Sequence, residues 1–209
     1  MEYEKTVLYF LEKDVVRNFG EEQGNKIFQR ASKLYAELVV TTDYHKSPTY
    51  ERQLRKLVYP VIAYYKTLLA YGYREESALG LVRSETEKAA KESGERLASQ
   101  MRPVFPYSAF KRNIRNFIEY KFPSSGWVTE GLQVKGKQIG FKVTKCLYVT
   151  MTLKFGCPEL AQIFCEFEQI AFEGLLPQVV CERGGVIARG YDSCEFCFCK
   201  GERSKKKKQ

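Results

Sequence analysis

Trp127-Val128-Thr129-Glu130-Gly131-Leu132-Gln133-Val134-Lys135-Gly136-Lys137-Gln138-Ile139-Gly140-Phe141-Lys142-Val143-Thr144 is where the apolar pattern of this 209-residue chain changes its period. Trp127 to Val134 and Ile139 to Val143 flank Lys135-Gly136-Lys137, a pattern that predicts two strands joined by a hairpin turn. In the second strand Ile139, Phe141 and Val143 share one face, and Gly140, Lys142 and Thr144 take the other. Everything before this stretch repeats at helical spacing. The expected fold class is therefore α+β, with a helical N-terminal layer packed on an antiparallel β-sheet carrying inserted helices.

Upstream, Leu8, Leu11, Val15 and Phe19 keep helical spacing, with Gly20 as the stop. Glu21 and Glu22 suit the positive end of a second helix, whose stripe is Ile27, Phe28, Ala31, Leu34, Tyr35 and Leu38. A polar loop runs from Thr41 to about Pro48. Leu54, Leu57, Val58, Val61, Ile62, Tyr65, Leu68 and Leu69 form a third stripe, which Pro60 should kink or split before Gly72 ends it. Ala78, Leu81, Val82 and Ala89 mark a fourth helix. Phe110, Ile114, Phe117 and Ile118 mark a fifth.

Downstream, Cys146, Val149, Thr150 and Leu153 return to helical spacing up to Gly156. Pro158 is placed as the first residue of the next helix, with Leu160, Ile163, Phe164 and Phe167 as its buried stripe and Gly174 and Pro177 at its end. Gln178 to Arg189 and Cys194 to Cys199 then read as two strands joined around Gly190 to Ser193. The chain is expected to be one domain over 1–200, mainly helical over 1–122 and bearing the sheet and the cysteines over 123–200. A basic, disordered tail follows over 201–209.

The net charge of +9 overstates the basicity of the body. Nearly half of it sits in the tail, where Arg203 and Lys205 to Lys208 face only Glu202, and a terminal lysine run is usually a solvated end. No zinc-finger spacing, helix-turn-helix pattern or aromatic RNA-binding signature is present, so no nucleic-acid partner is expected. Lys111, Arg112 and Arg115 read as the wet face of a helix. No apolar run approaches a membrane span, and the acidic N-terminus lacks the features of a secretory signal, so a cytoplasmic chain with no membrane partner is expected.

All seven cysteines lie in the last third of the chain: Cys146, Cys157, Cys165, Cys181, Cys194, Cys197 and Cys199. The odd count and the expected compartment argue against a disulfide framework. Cys194-Glu195-Phe196-Cys197-Phe198-Cys199 has the look of a metal motif. As a strand, however, it points Cys194, Phe196 and Phe198 one way and Glu195, Cys197 and Cys199 the other. No metal is expected, and Cys197 and Cys199 are read as small buried hydrophobes, as is Cys181. Cys157, just before Pro158, stands at or near a helix N-terminus, where it is either a thiol of lowered pKa or a poor cap.

Cys165 and Glu168 are three residues apart on one helix and share a face with Ala161 and Phe172. Either they meet in a site, with Arg183 or Arg189 supplying a nearby cation, or Cys165 faces the core and Glu168 faces water. His45, the only histidine, lies in a polar loop and reads as a surface residue, which disfavours zinc-hydrolase and serine-triad chemistry. No phosphate-binding or dinucleotide-binding glycine motif is present, and no cofactor is expected.

Several segments together carry a resemblance. Lys145-Cys146-Leu147-Tyr148 is followed by Phe155-Gly156-Cys157-Pro158-Glu159-Leu160 and by Phe164-Cys165-Glu166-Phe167-Glu168. Arg183-Gly184-Gly185-Val186-Ile187-Ala188-Arg189-Gly190 then leads into Cys194-Glu195-Phe196. With the Phe19-Gly20-Glu21-Glu22 helix start, the Pro60 helix through Tyr64-Tyr65-Lys66 and the Pro123 to Trp127 turn, the chain resembles the 2-amino-thiazoline-4-carboxylate hydrolase family over nearly its whole length.

The resemblance implies hydrolytic opening of a thiazoline ring: water adds to an amidine-like carbon, and a ring C–S or C–N bond breaks to give a carbamoyl-cysteine. By the resemblance Cys146, Cys165, Glu168, Cys194 and Glu195 match the family's motif positions, which implies Glu168 as proton shuttle, Cys165 as its partner or as nucleophile, and Cys146 and Cys194 lining the pocket; Arg183 is expected as carboxylate clamp, because a guanidinium binds a carboxylate through two parallel hydrogen bonds. Glu195 and Cys157 are expected on the substrate-binding side. The family's aspartates stand here as Glu168 and Glu195, one methylene longer, and threonines often found around Gly184, Gly185 and Val186 are replaced. The contrasting reading is a non-catalytic small-molecule sensor, since the closing Cys194-Glu195-Phe196 strand also resembles the 4-vinyl reductase ligand-binding domain. Both readings make a small molecule the partner; neither fixes an oligomeric state.

Overall fold

The computed structural model describes residues 3–101 and 104–201. The expected disordered tail falls, from Glu202 onward, outside the described residues. The chain forms two compact units, residues 1–89 with 151–163 and residues 90–150 with 164–209. No helix among the described residues is long and apolar enough to cross a membrane.

The first unit is helical. Helix α1 (Leu11–Phe19) turns into α2 (Glu21–Thr41) at Gly20, whose φ of 78° lies where glycine is favoured. Gly24 lets the two backbones meet: a Cβ there would fall 2.5 Å from Val16 Cα and 2.7 Å from Val15 O. Helix α3 (Pro48–Gln53) is capped by Ser47, which accepts from the Tyr50 N–H at 3.3 Å.

A wide π-helical turn (Leu54–Val58) then leads into α4 (Tyr59–Ala70). This is the form taken by the kink expected at Pro60. Proline has no N–H for the Lys56 carbonyl one turn back, and that carbonyl instead accepts from Val7 N–H at 2.9 Å. The Tyr3 hydroxyl donates to the Pro60 carbonyl at 2.6 Å, fixing the N-terminal segment over the same place. Helix α5 (Glu75–Ser99) is the fourth expected helix. Where the fifth was expected, in the second unit, there are two, α6 (Pro106–Arg112) and α7 (Ile114–Lys121), parted at Asn113. Asn113 sits at φ −98°, ψ 9°, and its side chain accepts from Asn116 at 2.8 Å, a local bond that competes with helix continuation.

The second unit holds the sheet. The hairpin forms as expected, β1 (Val128–Lys135) with β2 (Gln138–Lys145), turning at Gly136 with φ 52°. Helices α8 (Leu147–Lys154) and α9 (Leu160–Glu173) come next, then β3 (Val179–Arg183) and β4 (Cys194–Lys200). The strand order is β1-β2-β4-β3, antiparallel throughout. One face is an aromatic core in which Phe141 and Phe196 stack at 5.1 Å and Phe198 meets Phe110, Phe117 and Phe172 from the helices. Helices thus cover one face of an antiparallel sheet and are inserted between its strands, the α+β fold that the hairpin foretold.

β3 stops at Arg183, not at Arg189. Gly184 and Gly185 still bond to Glu195, through N–H to O at 3.0 Å and O from N–H at 3.1 Å, before the chain curls through a short 3-10 turn at Ile187–Arg189. The opposite face of the sheet is wet. Cys197 and Cys199 lie there half-exposed rather than buried, because this face carries Lys142, Glu182 and Glu195 and no aromatic layer.

Candidate functional site

The end of β2, the start of α8, the middle of α9, the end of β3 and the start of β4 converge in the second unit. Cys146 immediately precedes α8 and is buried. Its sulfur lies toward the N–H groups of Val149 and Tyr148, the arrangement expected above for Cys157, yet burial prevails and pushes the thiol up to about 12. Two residues on, Tyr148 packs between Trp127, edge-on at 5.2 Å, and Phe164, stacked at 5.0 Å. Its hydroxyl donates to Glu168 Oε1 at 3.4 Å.

Cys165 and Glu168 are both buried on α9, 8% and 6% exposed, so Glu168 does not face water. Burial raises the Glu168 pKa, and the cations Arg183 and Lys121 with the Tyr148 hydrogen bond only partly offset it. The Cys165 thiol is pushed up to about 11, again by burial against Arg183. Arg183 is the organising cation. Its Nη1 donates to the Cys165 carbonyl at 3.0 Å, and its guanidinium lies 4.7 Å from the Phe196 ring centre. Burial pulls its pKa down, but Glu168 and Cys165 outweigh that and leave it raised. Arg183 Nε is buried and has no hydrogen-bond partner among the described residues.

A cavity of about 360 Å³ opens beside this cluster. Cys165, Cys181, Arg183, Gly184 and Arg189 stand in its wall, with Glu166 and Glu173. Glu168, Cys146 and Cys194 do not line it; all three are buried. Cys194 is buried, and its sulfur accepts from the Ile187 N–H at 3.3 Å. Cys181 is half-exposed and not core, though its thiol is still pushed up to about 12 by desolvation.

Two expected site residues stand elsewhere. Glu195 lies on the wet face, paired with Lys142 at 2.7 Å, and lines a separate open groove. Cys157 belongs to the first unit. α9 begins only at Leu160, whose N–H bonds the Cys157 carbonyl at 3.1 Å, so Cys157 precedes the helix by a turn. Burial pushes its thiol up to about 11 despite Lys66, so it is not a thiol of lowered pKa. His45 is exposed in its loop, as expected.

Sequence reasoning missed Tyr148 as a member of the cluster. The signal was its place two residues after Cys146, at the start of a helix. It also missed a buried pair in the first unit. Asp14 and Glu85 are each 3% exposed, and Lys88 reaches Asp14 at 2.7 Å. Burial raises Asp14, but bonds from Lys88 and Glu85 outweigh it and leave its pKa lowered. Glu85, desolvated beside that carboxylate, is pushed up to about 7.

A family model described as L-2-amino-thiazoline-4-carboxylic acid hydrolase matches residues 51–198, well over half of the chain. No curated protein matches the chain significantly. Among solved structures, the Fe(II) unliganded H-NOX protein from K. algicida is 9% identical with a TM-score of 0.35, over 98% of this chain and 99% of that one. A point mutant of the same protein gives 9% and 0.33, over 98% of each.

Proposed function

Because the chain belongs to the L-2-amino-thiazoline-4-carboxylic acid hydrolase family, we propose that it opens the ring of a small cyclic amidine or thiazoline carboxylic acid to a carbamoyl-cysteine-type product. The observation that carries this reading is the cavity walled by Cys165 and Arg183, with Glu168, whose pKa burial raises, buried on the same helix as Cys165. Its volume suits a small ligand. The wall carries both signs of charge, which fits a substrate with a carboxylate at one end and an amidine at the other. Arg183 and Arg189 bind the carboxylate, with two parallel hydrogen bonds available to each guanidinium.

Water adds across the ring C=N bond, its hydroxyl to the carbon that joins sulfur and nitrogen and its other proton to the ring nitrogen. The adduct collapses with cleavage of the ring C–N bond, and the departing nitrogen takes a proton from the Cys165 thiol. Glu168 returns a proton to that sulfur. The carboxylate left on Glu168 recovers one, through the same sulfur, from the added hydroxyl as it becomes the carbonyl. One water is consumed and the protein ends as it began. A thiol whose pKa is pushed up to about 11 suits this relay better than standing as a thiolate nucleophile.

One observation favours the sensor reading: Glu168 is outside the cavity wall. The test is incubation of the purified protein with 2-amino-thiazoline-4-carboxylate, followed by mass analysis. Formation of a carbamoyl-cysteine supports the hydrolase, and release of an amine rather than a thiol supports C–N cleavage. Saturable binding without any product would replace the hydrolase by the sensor.

A further inference from the structure

On the wet face of the sheet, Cys197 and Cys199 stand two residues apart on β4 with their sulfurs 3.4 Å from one another. The cross-strand partner of Cys197 on β3 is Glu182. One carboxylate oxygen of Glu182 and the two sulfurs all lie within 4.8 Å of one another. Glu182 is exposed and both cysteines are half-exposed. On the other side Cys197 pairs with Gly140, which has no side chain, so the surface above the sulfur stays open. Cys197, Glu182 and Gly140 line a groove of about 450 Å³ there.

We propose that Glu182, Cys197 and Cys199 form a binding site for a thiophilic divalent metal ion such as zinc, with a fourth position open to the groove. Two Zn–S bonds of about 2.3 Å at a tetrahedral angle span about 3.8 Å, so the sulfurs need to part by only a few tenths of an ångström. A disulfide would require them to close to about 2.05 Å across alternate residues of an extended strand, near the upper limit of Cα separation for that bond. The geometry therefore favours a bridging ion over oxidation. Thiolate donors select zinc and its soft analogues over calcium or magnesium, which take oxygen. Binding releases one proton from each thiol. The Tyr107 hydroxyl, buried and without a hydrogen-bond partner among the described residues, lies near enough to interact electrostatically with both sulfurs. Cys194 cannot join the set: it sits on the opposite face of the strand.

The site uses neither Cys165 nor the cavity beside it, so it stands or falls apart from the proposed reaction. The experiment is titration of the reduced, full-length, metal-free protein with Co(II), followed by competition with Zn(II). One equivalent of Co(II) is expected, with the near-ultraviolet charge-transfer absorption of thiolate ligands, lost in Cys197→Ser and in Cys199→Ser. Glu182→Gln should weaken the affinity by at least about tenfold, the lower end of what loss of a supporting group costs a metal site. No charge-transfer band in the native protein, or a band that survives either serine substitution, overturns the site. If circular dichroism shows the serine variants misfolded, Glu182→Gln decides alone, and an unchanged affinity overturns it.

Discussion

Tyr148 donates its phenolic hydrogen to Glu168 across 3.4 Å, and both side chains are buried. The contact is long for an O–H···O bond, but the phenol cannot wander, because Trp127 and Phe164 hold its ring from two sides. The bond lowers the Glu168 pKa against the larger effect of burial. Tyr148→Phe should therefore fold, lose about 1 kcal/mol of stability or less, and raise the Glu168 pKa further. With Glu168 acting as a proton donor, the alkaline limb of the rate profile moves to higher pH. A pH–rate comparison of the two proteins checks the shift.

Cys165→Ser and Glu168→Gln should each lower kcat by about 10²- to 10⁴-fold while leaving circular dichroism unchanged. Full activity in either would remove it from the relay. Glu168 also predicts a stability effect. Its folded pKa lies above the unfolded value, so its contribution is complete at pH below about 4.3 and is lost as pH rises through the folded pKa. Glu168→Gln should thus gain stability relative to the native protein as pH rises, read from urea unfolding at pH 4 and pH 8.

Arg183→Lys keeps the charge and loses the planar fork. It gives up the bond to the Cys165 carbonyl and the contact with Phe196. The expected result is a KM raised by about tenfold or more for the carboxylate substrate, roughly 1.4 kcal/mol of binding. An unchanged KM would take the carboxylate away from Arg183.

Glu85→Gln should flatten the pH dependence of melting between about pH 4.3 and 7. Burial beside the Asp14 carboxylate pushes the folded pKa of Glu85 up to about 7, so the native protein loses stability as Glu85 ionises across that window. Lys88 and Arg17 keep Asp14 ionised, so its contribution is lost only at lower pH, as pH falls through its own lowered pKa. Calorimetric Tm values for both proteins between pH 4 and 8 measure the difference.

Gly24→Ala places a methyl group against the backbone of Val15 and Val16, where no side chain can rotate away. The helix-propensity gain of alanine is about 1 kcal/mol. Forcing α1 and α2 apart should outweigh it and leave a net loss of about 1–3 kcal/mol by urea denaturation.

The sheet was legible because alternation is a local property. The hairpin and the two-faced β4 follow from the order of side chains alone, and burial of Cys194, Phe196 and Phe198 bears this out. Breaks were harder to read. The Phe110, Ile114, Phe117, Ile118 spacing runs through Asn113, and only the asparagine hinted that two helices meet there. The sequence pattern carries β3 past its observed end because Val186 and Ile187 continue its apolar character beyond two glycines. In the site, three-residue spacing put Cys165 and Glu168 on one face, and Arg183 was the cation expected from the following strand. The N-terminal position that tempers a buried thiol belongs to Cys146 and not Cys157, because Pro158 opens a turn and not the helix itself. The pairing of Asp14 with Glu85 joins distant segments and leaves no local mark in the sequence.

The alternation of β4 also divides the chain's sulfur by accessibility. Cys194 is 4% exposed and Cys165 8%, while Cys197 and Cys199 look outward. Peroxide or an alkylating reagent arriving from solvent meets the outer pair first. Chemical wear then collects on the open side of the strand, and the interior thiols stay reduced for as long as the sheet holds.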